Sequence, residues 1–600
     1  MNMRTSIYKY RIAARWLVPL LLAILFVSCK KFLDKGPLDT LSQDNYWENS
    51  SQLDMYIVGK YKWVPEISFW NDAVSDNMMG GGYVGGFNAY MNGQTVAPTA
   101  AGSGGWSWGA IYEINYFFDN YQKCKDPFDK YKHTLGEACF LKAMLYHNLV
   151  KQFGDVPWYS NVISANDQAA LTRKRDSRAM VVDSIMALID KSIELLNTRS
   201  VVGVNRINKE TALIYKSRVA LFEASWAKYH ANTPSASSVN ATAYFRKVID
   251  AYTQLKTISG NFEGMLYNTG HPASDYFNLF NRENYSGINE VTLSRTYSNN
   301  ITGASGNGNN WWTTVGYFNR GYTLALVQSF LDKNGQTVDV TDNSKFPKKG
   351  AACLTDLKAS LDPRFGQSVF VPGDHFNRVL EPNRVYTVCE NLGTNYYNAT
   401  ATGYWPKKGN NPDINYNSQA GNPTTSAICF RVAEIMLNYV EAYVELNNSL
   451  PDLADNIDRI RVRAGMPLLT GHMPTVDATW PNYGYAVSNL LAIIRNERNT
   501  ELFGEGYRTD DWKRWRAHAL FNTDVTRPRG FKYDPADYDA ATNATLSAQL
   551  DSKGYYDPWK TVLPNGFRFR PEKDYLAPIP LEDITRSNKA LVQNPGWETP

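Results

Sequence analysis

Apolar residues recur at helical spacing in several blocks of the chain. The repeat of three to four residues places the apolar side chains on one face of each predicted helix. Alternating patterns that would predict strands are few and short. The sequence therefore predicts a mainly α protein, with helices over 134–153, 179–197, 208–229, 432–446 and 491–502.

The three early helical blocks are joined by modest connections. Helices joined in this way stack as helix–turn–helix pairs, so we expect a tetratricopeptide-like helical repeat array. Between about 260 and 425 the chain is rich in Gly, Asn and Pro and has no regular pattern. We expect this stretch to form an irregular, loop-rich subdomain inserted between the early and late helices.

The first 28 residues have the parts of a secretory signal. Four basic residues precede an apolar run over 17–27, which is shorter than the roughly 20 residues that span a bilayer. Ser28 and Cys29 follow directly, and a cysteine at this position suits thioether attachment of a lipid. We predict a lipoprotein signal peptide cut before Cys29. The alternative is an ordinary signal peptide with a chance cysteine.

These observations divide the chain into five parts. The signal peptide covers 1–28, and the lipid anchor and tether cover 29–47. The N-terminal helical repeat region covers 48–259 and contains an uncharged aromatic loop at 77–112. The irregular subdomain covers 260–425, and the C-terminal helical region with its closing segment covers 426–600.

Charge and cysteine content exclude several classes of function. The formal net charge of +4 belongs to the leader, because without its four basic residues 58 Lys and Arg balance 58 Asp and Glu. A nucleic-acid partner is therefore not expected. The five cysteines beyond Cys29 are widely spaced and odd in number, which argues against a disulfide framework or a zinc site. We predict neither a metal nor another cofactor.

Enzyme motifs are mostly absent. The chain has no H-E-x-x-H, G-x-S-x-G or P-loop sequence. Residues 80–85 match G-x-G-x-x-G, but no strand precedes them and no ribose-binding acid follows. Two carboxylate pairs, Asp72 with Asp76 and Glu497 with Glu501, leave a glycoside hydrolase as an alternative. For Glu497 and Glu501, structural ion pairs are the favoured interpretation.

Three segments without Asp, Glu, Lys or Arg carry many aromatic residues: 77–112, 296–319 and 391–406. Sugars are neutral, present C–H faces that stack on aromatic rings, and pair their hydroxyls with amides. We therefore expect ligand contacts in these loops, with Asp72 as an added polar contact; the ring candidates are Trp311, Trp312, Tyr297, Tyr83, Phe87 and Tyr90. Burial of the rings is the alternative, and we favour it for Trp108 and Tyr112, which begin a helical stripe.

Several blocks resemble the SusD/RagB family, the nutrient-binding lipoproteins of polysaccharide-utilisation systems (starch-utilisation-system D-like). The helix at 430–442 reads FRVAEIMLNYVEA, the block at 495–515 runs from RNER through EGYR to DWKRW, and the end contains PIP and LVQNPGW. Further matches at 136–157, 205–209, 362–364 and 402–404 extend the likeness over nearly the whole chain in the expected order.

The resemblance implies about four tetratricopeptide-like helix pairs and a ligand site in the irregular subdomain. It also implies capture of oligosaccharide without cleavage by a lipid-anchored protein of the outer membrane, facing the exterior and lying on a SusC-like TonB-dependent transporter. No sugar contact carries over, because these contacts vary within the family. Lys30 and Lys31 stand where many surface-exported lipoproteins have acidic residues. A third interpretation is a protein-binding assembly scaffold.

Joint replacement of Trp311 and Trp312 by Ala tests the proposed aromatic contacts. We expect weaker glycan binding in a titration, because each stacked ring contributes about 0.5–1.5 kcal/mol by analogy with aromatic pairs. Unchanged affinity for a confirmed glycan ligand would show that this loop is not the site.

Overall fold

The structure is a computed structural model of the chain. It describes residues 46–69, 71–82, 86, 88–164, 166–297, 313, 319–394, 396, 399–413, 424–452, 457–476 and 481–598. The predicted signal peptide, Cys29 and the tether up to residue 45 lie outside these residues.

The first half of the chain is built of helices, several of which begin at side-chain caps. Ser177, Asn208 and Asn240 each accept a hydrogen bond from a backbone N–H of the first helical turn, which satisfies a donor that the helix leaves unpaired. The helices are α1 (Ser50–Val58), α2 (Gly109–Asn120), α3 (Lys132–Phe153), α4 (Gln168–Leu171), α5 (Arg178–Leu195), α6 (Arg199–Val202), α7 (Lys209–Tyr229) and α8 (Ala241–Ser259).

The middle of the chain contains short elements separated by long loops. Its helices are α9 (Asp275–Leu279), α10 (Leu324–Ser329), α11 (Gly350–Ser360) and α12 (Arg364–Ser368). The described residues also form two antiparallel two-stranded ladders. They pair β1 (Met78–Gly80) with β3 (Arg320–Tyr322), and β2 (Val291–Arg295) with β4 (Ala427–Arg431).

The helical array resumes after the irregular stretch. The later helices are α13 (Val432–Asn447), α14 (Asp458–Arg463), α15 (Asn489–Leu502), α16 (Arg508–Arg514), α17 (Ala540–Leu546) and α18 (Leu581–Arg586). Helix α13 packs against α8, α7 and α15, so helices far apart in sequence are neighbours in space. One large apolar cluster runs through the array from α1 to α15. The predicted mainly α fold and the predicted helices are confirmed.

A second apolar cluster lies beneath the irregular loops. It joins residues of β3, α10, α11 and the 365–405 segment to Phe531, Tyr533, Tyr555 and Tyr556. This cluster therefore draws on residues from both sides of the predicted boundary at 425. The five described cysteines are free, and Cys139 and Cys429 are buried as small core residues.

A buried ionic network joins the irregular subdomain to the helices. The carboxylate of Glu501 on α15 contacts guanidinium groups of Arg364 on α12 (3.0 Å), Arg431 on β4 (2.7 Å) and Arg463 on α14 (2.5 Å). Glu497, one turn earlier, contacts Arg364 (2.5 Å) and Arg461 (3.0 Å). These Glu and Arg side chains are all nearly or fully buried. The structural interpretation of Glu497 and Glu501 is confirmed.

Glu441 on α13 is the centre of a second buried cluster. Its oxygens accept from Arg514 of α16 (2.6 Å to each oxygen) and from the indole N–H of Trp515 (2.7 Å). Burial alone would raise the pKa of Glu441, but the charge and hydrogen bonds of Arg514 outweigh burial and lower that pKa to about 2. Glu441 is therefore ionised at neutral pH and holds α13 against α16.

Glu441→Gln is expected to destabilise the protein strongly at neutral pH. The substitution leaves Arg514 buried without its carboxylate, which costs about 3–5 kcal/mol of unfolding free energy. Because the pKa is about 2 in the folded chain and near 4.5 in the unfolded chain, the carboxylate stabilises the fold above pH 4.5, and this contribution is lost as the pH falls toward 2. Urea unfolding at pH 7 and pH 3 measures both effects.

The matched control is Glu194→Gln, because Glu194 pairs with Lys191 at the surface and its side chain is 64% exposed. We expect a change near zero for this variant. Equal losses for the two variants would contradict the assigned role of Glu441.

Candidate functional site

The three uncharged segments meet at the β1–β3 ladder. β1 belongs to the first segment and pairs with β3, which directly follows the second, in the register Met78↔Tyr322 and Gly80↔Arg320. The backbone N–H of Gly81 donates to the carbonyl oxygen of Asn319 (2.7 Å). The third segment joins through Tyr322, whose N–H donates to the carbonyl oxygen of Tyr404 (3.1 Å). Contacts such as Gly81–Asn319, between residues more than 200 positions apart, thus bring parts of the three segments into one junction.

Gly321 allows the close approach of the third segment to β3. A Cβ atom at this position would lie 2.2 Å from Oγ1 of Thr402 and 2.7 Å from Oγ1 of Thr400. Neither hydroxyl moves freely, because Thr400 Oγ1 accepts from the N–H groups of Thr402 and Gly403, and Thr402 Oγ1 accepts from that of Tyr404. The packing at the junction therefore requires a glycine at 321.

The side chains around the junction are mostly amides, hydroxyls and aromatic rings. Asn319 Nδ2 donates to the carbonyl oxygen of Thr394 (3.2 Å), which fastens the second segment to the third. Tyr396 in the third segment is 63% exposed, whereas Tyr404 and Trp405 are buried. The indole N–H of Trp405 donates to the carbonyl oxygen of Thr313 (2.7 Å), so Trp405 holds this one residue of the second segment.

Tyr297 stands at the start of the second segment and is partly buried. Its hydroxyl donates to Oε2 of Glu66 (2.5 Å), which also pairs with Arg295 (3.0 Å). Burial and the Glu66 carboxylate raise the pKa of Tyr297, so the hydroxyl is protonated at neutral pH. Tyr297 therefore anchors the segment through its hydroxyl.

Tyr90 is held by the C-terminal part of the chain. Its hydroxyl donates to the carbonyl oxygen of Asp574 (2.8 Å), and its ring packs against Trp512 and Phe569. Tyr90 also lines a cavity of about 540 Å³ together with Lys513, whose ammonium lies 4.9 Å from the ring centre. Tyr90 is bonded to the C-terminal part of the chain and Tyr297 to Glu66, so these two predicted contacts have no common neighbour. Trp311, Trp312, Tyr83 and Phe87 lie outside the described residues.

Asp72 is a structural residue, which corrects its assignment as a ligand contact. Its side chain is fully buried, and its oxygens accept from Asn77 Nδ2 (3.0 Å) and from the N–H groups of Gly504 (2.7 Å) and Gly506 (3.2 Å). Burial raises the pKa of Asp72, and these hydrogen bonds partly offset the rise. No surface of the carboxylate remains for a ligand.

The other carboxylates named from the sequence are also engaged. Asp76 binds Arg508 through two hydrogen bonds (2.7 and 2.8 Å), while Glu497 and Glu501 belong to the buried network. Among the described residues, no group of three or more His, Cys, Asp or Glu side chains could hold a metal ion. Within the same residues, no helix has the length and apolar character needed to cross a membrane.

Sequence reasoning missed the residues that build the junction. Asn319, Gly321 and Thr400 carry no motif, and although Thr402 begins the family match at 402–404, that match did not indicate its contact with β3. The motif blocks in 430–515 instead supply Arg431 and Glu501 of the buried network and the Glu441–Arg514 pair of the second buried cluster.

Comparison with known proteins agrees with this arrangement. A sequence model of the SusD family matches residues 279–597, and a second one, described as starch-binding associating with outer membrane, matches residues 31–221. The chain belongs to the SusD family. A SusD-like protein (P2) of Formosa agariphila is 21% identical over 599 residues, which cover 96% of this chain and 98% of the relative.

Two solved SusD-like structures from Bacteroides fragilis share the fold. One has a TM-score of 0.68 and 20% identity, with 94% of this chain and 100% of the other covered. The second, described as a carbohydrate binding protein, has a TM-score of 0.66 and 19% identity, with 90% and 99% covered. The fold of the SusD family therefore extends over nearly the whole chain.

Gly321→Ala is expected to open the junction without unfolding the helical array. The added methyl group meets Oγ1 of Thr402 and Thr400, so β3 and the 400–404 segment must move apart. We expect faster amide hydrogen exchange at Tyr322 and at 402–404, measured by mass spectrometry.

Gly287→Ala is the control, because among the described residues no atom beyond its chain neighbours lies within 4 Å of a Cβ built at Gly287. Its exchange pattern should match the parent protein. Slow exchange at the junction in Gly321→Ala would show that the threonine side chains yield and that the glycine is not required.

Proposed function

We propose that this chain captures oligosaccharide or polysaccharide without cleaving it and passes it to a SusC-like TonB-dependent transporter. The observation that carries the proposal is the meeting of three uncharged, aromatic-rich segments at the β1–β3 ladder. Membership of the SusD family and the carbohydrate-binding structural neighbour support the same ligand class.

The chemistry of the junction suits a neutral, hydroxyl-rich ligand. Tyr396 offers an exposed ring, whereas Asn319, Thr400 and Thr402 are buried and hold the backbone of the junction in place. An exposed ring recognises a sugar by stacking on its C–H face. We propose that Trp311, Trp312, Tyr83 and Phe87 add further stacking surfaces.

The state of the carboxylates supports capture over hydrolysis. A glycosidase needs two facing carboxyl groups, one of which has a raised pKa so that it can donate a proton. Glu501 is buried, and the charges of Arg463, Arg431 and Arg364 outweigh burial and lower its pKa far below the ordinary value. Asp72 is buried and Asp76 is bound to Arg508. The pairs named from the sequence are therefore unsuited to acid–base catalysis.

The proposed location is the outer face of the outer membrane, with lipid on Cys29 as the anchor. The predicted tether reaches residue 47, but Trp47 is buried in the apolar cluster of the helical array, so the proposed tether ends before it. The description of the family model that matches 31–221 supports association with the outer membrane. A tethered protein can stay at the transporter while it binds and releases glycan. The lipid alone would hold it, because the chain beyond the signal peptide has no net charge.

Two measurements on the mature chain test this function: binding to a glycan array that includes starch, laminarin and xyloglucan, and chromatography of each glycan after incubation with the protein. We expect saturable binding to at least one glycan and no release of shorter sugars. Product release that is lost on a single Asp or Glu substitution would instead establish a hydrolase. Co-purification with a transporter, without affinity for any glycan, would establish an assembly scaffold.

A further inference from the structure

The C-terminal end of the first uncharged segment lines a second cavity, which is separate from the β1–β3 junction. Trp108 and Tyr112, at the start of α2, line a space of about 490 Å³ together with Tyr159 and residues of α4 and α18. This volume lies within the range of small-molecule sites, roughly 300–1,000 Å³. The cavity shares no lining residue with the junction.

Asn115 provides an unused hydrogen-bond acceptor in this cavity. Its side chain is 1% exposed, and Nδ2 donates to the carbonyl oxygens of Tyr159 (3.1 Å) and Asn161 (3.0 Å). Its Oδ1 is buried and accepts from no group of the described residues. Because an unsatisfied buried acceptor costs about 1–3 kcal/mol, this oxygen is suited to accept from a ligand hydroxyl.

Trp108 and Tyr112 provide a donor and an aromatic face. The indole N–H of Trp108 donates to no acceptor in the part of the chain that the structure describes, while its ring packs edge-on against Trp106 and Tyr159 (5.3 Å between centroids in each case). Tyr112 is 53% exposed, which corrects the burial favoured from its helical stripe, and it lies parallel to Tyr116, with 8° between the ring planes. The cavity therefore offers acceptor, donor and stacking surface together.

The charged groups of the cavity are already paired. Arg173 binds both oxygens of Asp176, and Asp583 accepts from the N–H of Gly102 (2.8 Å). Arg586 pairs with Glu582 at the surface. With these charges engaged, the arrangement favours a neutral ligand with hydroxyl groups and an apolar face.

We propose that this cavity binds a sugar unit of the same polysaccharide and acts as a second glycan site. A sugar hydroxyl donates to Oδ1 of Asn115, a sugar oxygen accepts from the indole N–H of Trp108, and the C–H face of the ring stacks on Tyr112. The inference rests on the proposed function, since the ligand is the glycan captured at the junction.

A second site raises the affinity for long glycans more than for short ones. When one polymer occupies both sites, the second contact is intramolecular and forms at a high effective concentration. A short oligosaccharide that fills only the junction gains nothing from the cavity. The difference between polymer and oligosaccharide is therefore the signature of the second site.

Tyr112→Ala and Trp108→Phe test the proposal. The first removes the stacking face from an exposed position, and the second removes the indole N–H but keeps an aromatic ring. The matched control is Phe128→Ala, because Phe128 is 48% exposed and lies outside the cavity. The probe is whichever of starch, laminarin and xyloglucan the mature chain binds most tightly. Affinity electrophoresis measures binding of this polysaccharide, and calorimetry measures binding of a short oligosaccharide derived from it.

We expect both cavity variants to bind the polymer about 3- to 10-fold more weakly than the control, with oligosaccharide affinity unchanged. Polymer affinities equal to that of Phe128→Ala would overturn the second site. Loss of transporter binding with polymer affinity intact would also overturn it and would assign the cavity to a protein contact. If the parent chain binds no glycan at all, the proposed function itself fails. If the parent chain binds glycan and the cavity variants bind the polymer as tightly as the control, only the second site fails.

Discussion

The arrangement of this protein depends on one buried carboxylate, that of Glu501, which three guanidinium groups share. Arg364, Arg431 and Arg463 come from three different elements, α12, β4 and α14. A buried carboxylate without these partners would be strongly unfavourable, so each element must adopt the position that supplies its arginine. We infer that the network specifies how the subdomain sits on the array, whereas apolar packing supplies most of the stability.

The same network reaches the candidate site through a single turn. Glu505 follows α15 and pairs with Arg431 and Lys408, while the flanking Gly504 and Gly506 donate their N–H groups to Asp72. Asp72 precedes β1 by a few residues, and β1 forms the ladder at which the three uncharged segments meet. A continuous set of buried polar contacts therefore connects the ionic core to the loops proposed to bind glycan.

The sequence predicted those parts of the fold that depend on local pattern. The apolar stripe at 432–446 became α13, and the mixed charges around Glu497 and Glu501 became structural ion pairs. It could not predict the junction, because β1 and β3 have three residues each and their pairing depends on contacts more than 200 residues apart. Burial of Asp72 was equally hidden, since two of its three partners are backbone N–H groups, which leave no trace in the side-chain pattern.

Hydrogen exchange with and without a bound glycan tests most directly the claim that the ligand binds at the β1–β3 junction. The account predicts slower amide exchange at 78–82, 319–322 and 399–404 when the glycan is present, with α5 and α7 unchanged. Measurable binding that leaves the junction unprotected, with protection confined to the helical array, would contradict it.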